Sequence, residues 1–156
     1  YDSIVDEKKD LRPLLMSKKF FIKVIKDYPD TDYSIDAKYK LELIHDLLAA
    51  KELYIARHYM KKEKWIAAIN RLKNIVNDYG TTIYIEETLH RLVEIHYIIG
   101  LENEAKKYAK TLGYNYKTSE WYEETYRVFN KDYEKIIEVK KRNRRKVLTE
   151  KIKSFF

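Results

Sequence analysis

The sequence predicts an all-α fold in which antiparallel helix hairpins stack into an α-solenoid, and three observations predict it. Only three glycines and two prolines interrupt 156 residues, so long helices meet few breakers. The stretch Val24-Ile25-Lys26-Asp27-Tyr28-Pro29-Asp30-Thr31-Asp32-Tyr33 recurs 51 positions later as Ile75-Val76-Asn77-Asp78-Tyr79-Gly80-Thr81-Thr82-Ile83-Tyr84. Around these copies the apolar residues return at the 3.6-residue period of a helix. Self-similarity on this scale marks repeat architectures, in which each unit buries its apolar face only by stacking on its neighbours.

Taken in order, residues 1–9 read as a flexible N-terminal end and residues 10–130 as the helical repeat domain. Its first helix carries Leu14, Ser17, Phe21, Val24, Ile25 and Tyr28 on one face and stops at Pro29, which cannot continue it. Ser34 to Lys62 holds no glycine or proline, and its apolar residues occupy two sides: Leu41, Ile44, Leu48 and Ile55 beside Leu43, Leu47, Tyr54 and Met60. A helix that is apolar on two sides is flanked on two sides, so this one closes one hairpin and opens the next. From Trp65 the residues Ala68, Ile69, Leu72, Ile75, Val76 and Tyr79 follow at i+3, i+4, i+7, i+10, i+11 and i+14, one face of a helix that ends at Tyr79-Gly80. Further helices are expected over residues 83–99, 101–112 and 119–129. The last of these starts with a weaker repeat copy, in which Tyr84-Ile85-Glu86-Glu87-Thr88 becomes Trp121-Tyr122-Glu123-Glu124-Thr125, 37 positions on.

One phasing fits the tetratricopeptide (TPR) pattern, where small residues let two helices approach and large ones fill the groove between them. Ile55, Ala56, Tyr59, Trp65, Ala68, Leu72 and Gly80 fall at the expected positions. The next unit keeps Leu92, Gly100, Ala105 and Leu112 but has Val93 and His96 at two signature sites.

The search for chemistry finds none. The chain has no cysteine, which excludes a disulfide scaffold, a thiolate metal site and a cysteine nucleophile. His45, His58, His90 and His96 form no zinc-ligand motif, so neither metal nor cofactor is expected, and His96 reads as a core residue. Glu86-Glu87 and Glu123-Glu124 sit at helix starts, where acidic groups favour the helix dipole. No Gly-rich phosphate loop or nucleophile elbow occurs. Nothing here supports an enzyme.

What remains is surface. Asn70, Arg71, Lys73 and Asn74 lie off the apolar stripe of the Trp65–Tyr79 helix, as either an ordinary solvated face or a partner contact. The formal charge of +7 is concentrated in residues 131–156, which hold ten Lys or Arg against four Asp or Glu, leaving 22 against 21 elsewhere. This basic tail, helical or disordered, sets Lys140, Lys141, Arg142, Arg144, Arg145 and Lys146 before Leu148, Ile152 and Phe155 at i, i+4, i+7. Such a segment is a candidate for binding anionic lipid or an acidic protein. No recognition module accompanies the charge, which argues against nucleic acid.

At Lys64-Trp65-Ile66-Ala67-Ala68-Ile69-Asn70-Arg71-Leu72 and Asn77-Asp78-Tyr79-Gly80-Thr81-Thr82 the sequence resembles the BamD (ComL) family of outer-membrane protein assembly lipoproteins. The likeness runs from Tyr28-Pro29-Asp30-Thr31-Asp32-Tyr33 through Glu104-Ala105-Lys106-Lys107. The stretches Leu112-Gly113-Tyr114-Asn115 and Ser119-Glu120-Trp121-Tyr122 are similar to α-proteobacterial members. The resemblance implies the C-terminal part of a TPR scaffold on the periplasmic face of the outer membrane. It implies binding of a POTRA domain of BamA and of other lipoproteins of the BAM complex, with Arg71 matching an arginine that pairs with an acid there. It also implies a lipid anchor on an N-terminal cysteine that this chain lacks. The chain begins at Tyr1 with no leader pattern, which reads as a processed product or a fragment. The tail beyond Asn130 has no counterpart in the family pattern.

Overall fold

The computed structural model describes residues 11–129. The expected flexible end at 1–9 and the basic tail at 131–156 lie outside them. Six helices follow in order: α1 (Arg12–Asp27), α2 (Asp32–Lys61), α3 (Trp65–Asp78), α4 (Ile85–Ile98), α5 (Glu102–Asn115) and α6 (Glu120–Phe129). The described chain is all-α and TPR-like, as the sequence predicts.

Helix boundaries follow the chemistry of the repeated junctions. Tyr28 and Tyr79 are the C-caps of α1 and α3, and each amide donates to the carbonyl four residues back, Val24 and Ile75. Thr31 caps α2 by accepting from the Ser34 amide at 3.3 Å, satisfying one of the four donors a helix start leaves unpaired. At the second copy Thr82 Oγ1 keeps the bond to the Tyr79 carbonyl (2.8 Å) that Thr31 Oγ1 makes to that of Tyr28 (2.9 Å), but α4 starts only at Ile85, after Tyr84 and without a side-chain cap bond, rather than at residue 83. Helix α5 runs past Leu112 to Asn115, because Gly113 serves close packing rather than termination. A Cβ on Gly113 would stand 2.8 Å from the Tyr122 ring.

The two TPR-like hairpins turn in the same way. After α4, the Leu101 amide donates to the His96 carbonyl (2.7 Å) and the Gly100 amide to that of Tyr97 (3.1 Å), with Gly100 at φ +81°. This is a Schellman C-cap, whose left-handed residue is ordinarily glycine. After α2 the same bonds join Lys64 to Tyr59 and Glu63 to Met60, both at 2.9 Å, but the left-handed residue is Glu63, at φ +54°. A side chain there crowds the backbone. Glu63→Gly is therefore expected to stabilise the protein by about 0.5–1 kcal/mol, read as a higher urea midpoint with an unchanged slope. A lower midpoint would contradict the cap.

The core runs through the stack as linked clusters. Leu14 of α1 meets Ile44 and Leu48 of α2. Ala49, Leu53 and Ala56 of α2, Ala68, Ile69, Leu72 and Ile75 of α3, and Leu92 and Ile95 of α4 form the central cluster. Ile85 and Leu89 of α4 close with Leu112 of α5. Tyr79 packs against both the first and the central cluster, with its ring centroid 5.7 Å from that of His45.

The 30-residue α2 spans about 45 Å and is flanked on two sides, but not by all the residues the pattern suggested. Leu43 and Tyr54 are 51% and 44% exposed, and the small side chains Ala37 and Ala49 are buried instead, alongside Ala56, which the TPR phasing places in the core. Close helix approach selects small residues, which hydrophobicity alone does not single out. His96 is buried, as expected, and its Nδ1 donates to the Leu92 carbonyl at 2.6 Å.

Candidate functional site: the α3 face and the α2–α4 cleft

Helix α3 lies against both α2 and α4, and its apolar stripe leaves two polar flanks. Ile66, Asn70, Lys73 and Asn77, at i, i+4, i+7 and i+11, are all exposed and form the outermost row. On α5 the Glu104 carboxyl is held below the ordinary carboxylate range first by its hydrogen bond from Lys107, and Lys73 is among the charges that add to this.

Arg71 and Asn74 occupy the other flank, beside α2, and they are not free. Arg71 Nη1 donates to Glu52 Oε1 at 3.2 Å, and Asn74 Nδ2 donates to Glu52 Oε2 at 3.1 Å. The four residues singled out on α3 thus divide into an outward pair, Asn70 and Lys73, and a pair clamped to α2. Glu52 was not legible as their partner, because it lies 19 positions from Arg71 and only the hairpin brings them together. The TPR-pattern residues sit inside: Ala56, Ala68, Leu72 and Ala105 are buried, Tyr59 and Trp65 pack half-buried on the central cluster, and Gly100 makes the C-cap.

A second polar assembly ties α2, α4 and α6 together. Glu87, only 6% exposed, receives Nε of Arg57 at 2.9 Å and also Arg57 Nη2, as well as Nε of Arg91 at 3.3 Å. Its neighbour Glu86 fits the helix-start reading, but Glu87 is the buried acid that joins two helices. Arg91 Nη1 continues to Glu94 at 2.7 Å, and its guanidinium stands 5.3 Å from the Trp121 ring centre. Buried His90 places Nδ1 2.8 Å from Thr125 Oγ1 and Nε2 3.5 Å from Glu94. The i, i+4 and i, i+3 pairs within α4 follow from helical spacing; the links to Arg57 and Thr125 required the tertiary fold.

Burial pushes the Glu94 carboxyl up, but hydrogen bonds from His90 and Arg91 and their charges outweigh it and hold the group below its ordinary 4.5. A depressed acid contributes stability that is present above its unfolded pKa and is lost as pH falls through the folded one. Glu94→Gln is expected to flatten the fall in stability as pH drops below 4.5, read from urea midpoints across a pH series. An unchanged acid limb would contradict this role.

Above the network, Tyr54, Arg57, His58 and Lys61 of α2 face Arg91, Glu94 and Ile98 of α4 across a cleft of about 650 Å³. Among the described residues there is no group of three or more potential metal ligands, and no helix is long and apolar enough to cross a membrane.

Stacked hairpins with polar outer flanks and a cleft between helices define a TPR-like helical-repeat fold over the described residues. Residues 1–112 match the YfiO family, described as an outer membrane lipoprotein, and the chain belongs to that family. It is 44% identical over 128 residues to the outer membrane protein assembly factor BamD of Rickettsia prowazekii, covering 82% of this chain and 51% of that protein. To the BamD of Caulobacter vibrioides it is 38% identical over 130 residues, covering 83% and 43%. To that of Neisseria gonorrhoeae it is 36% identical over 77 residues, covering 49% and 28%. The chain spans about half the length of the first two relatives, both α-proteobacterial, the group whose members its Leu112–Asn115 and Ser119–Tyr122 stretches resemble.

Proposed function

We propose that this chain is the scaffold part of an outer-membrane β-barrel assembly factor, held at the periplasmic face of the membrane and binding a periplasmic POTRA domain of BamA through the α3 flank around Arg71. Other lipoproteins of the same complex would bind elsewhere on the stack. The geometry of Arg71 carries the reading. Glu52 engages it through Nη1 alone, which fixes the guanidinium while leaving its Nε and Nη2 edge for another carboxylate. Arginine's planar fork suits that second, bidentate contact. Asn70 and Lys73 extend the same surface outward with a hydrogen-bonding and a cationic group. The family match supports the compartment, since its members are described as outer membrane lipoproteins.

The cleft between α2 and α4 favours a second reading, an adaptor that holds a peptide between its helices. Calorimetric titration of the chain with the purified periplasmic domain of BamA separates the two. Saturable binding that a charge change at Arg71 weakens supports the scaffold; absence of binding would overturn it.

A further inference from the structure

The last two described helices leave an aromatic-walled groove between them. Helix α3 is seated against α2 and α4, and α5 against α4 and α6. Along the α5–α6 pair, Ala109, Lys110 and Gly113 on one side and Tyr122, Tyr126 and Phe129 on the other line an open groove of about 870 Å³. Its residues recur at i, i+4 on α5 and at i, i+4, i+7 on α6, so the groove runs between two helical ridges. That is the surface on which a third helix packs. Its floor is small at Ala109 and Gly113, and its wall is aromatic.

The chain itself supplies an occupant. Phe129 lines the groove, and 27 residues follow it. Past the basic run Lys140–Lys146, Leu148, Ile152 and Phe155 fall at i, i+4 and i+7, a single apolar ridge about 10 Å long when helical. The intervening residues 130–147 can reach tens of ångströms, far more than the return to α5 requires. A tethered segment also competes at an effective concentration in the millimolar range, ahead of any free partner.

We infer that residues 147–156 fold back as a helix and seat Leu148, Ile152 and Phe155 in the α5–α6 groove, capping the stack. Solenoids need such an end, because a terminal unit otherwise exposes the apolar face meant for the next one. The same three side chains cannot also enter a lipid surface.

The chain has no cysteine, which makes the test direct. In the full chain, Ala109→Cys with Ile152→Cys should close a disulfide within one molecule under mild oxidation, about tenfold faster than the control pair Ala109→Cys with Arg144→Cys. Peptide mapping identifies the link, and circular dichroism of the reduced variants checks that they fold. Closure no faster than the control overturns the inference; so does a disulfide formed mainly between two chains, which would make a second copy the occupant. Independently, Ile152→Asp should lower the urea midpoint of the full chain while Lys151→Asp does not. Equal midpoints for both would show that no apolar ridge is buried.

Discussion

Leu72→Ala is expected to cost roughly 2–5 kcal/mol of stability, the range for emptying a fully buried leucine site. Leu72 has no exposure and sits in the cluster to which α2, α3 and α4 all contribute. The cavity would therefore open at the junction of three helices rather than at an edge that can collapse. In a stack whose units are stable largely through their neighbours, the loss reaches both hairpins that meet at α3. Ile66→Ala on the same helix is the control. Ile66 is 68% exposed, so its truncation should change stability by less than about 0.5 kcal/mol. Urea unfolding followed by circular dichroism measures both. A cost below about 1 kcal/mol at Leu72 would mean that α3 does not bridge its neighbours.

The contrast between those two positions was legible in the sequence, since Leu72 falls on the helical stripe and Ile66 off it. Other features repeat in sequence but not in environment. Tyr28 and Tyr79 occupy the same place in the same motif, yet Tyr28 is 61% exposed while Tyr79 joins two clusters of the core. The difference lies in what stacks next to each copy, which no local pattern encodes. Likewise Glu63 and Gly100 are 37 positions apart and hold the same left-handed cap, and only Gly100 announced it. For the candidate surface, helical spacing separated Asn70, Arg71, Lys73 and Asn74 from the core but could not divide them further. That division needed Glu52, brought across the hairpin by the pairing of α2 with α3. Charged groups at long sequence separation become partners only through packing, which is why the Arg57–Glu87 link also emerged from the fold alone.

The same hairpin pair provides the sharpest test of the proposed BamA contact. Arg71→Glu by itself would set two carboxylates against each other on α2 and α3, so lost binding could reflect a disturbed hairpin. Combining it with Glu52→Arg restores an attractive pair in reversed order. Arg71 and Glu52 side chains are 40% and 19% exposed, a setting in which such a pair contributes about 0.2–1 kcal/mol, so the double variant should unfold within about 1 kcal/mol of the parent. Its surface, however, now presents a carboxylate where a partner's acid would approach. An arginine at the centre of an interface is typically worth 2 kcal/mol or more, so affinity for the periplasmic domain of BamA is expected to fall about 30-fold or more. Much of the loss should appear in the dissociation rate, because a direct contact would be removed rather than a long-range attraction weakened. Parental affinity in a double variant with parental stability would remove Arg71 from the interface and leave Asn70 and Lys73, on the outward row, as the groups that remain to carry it.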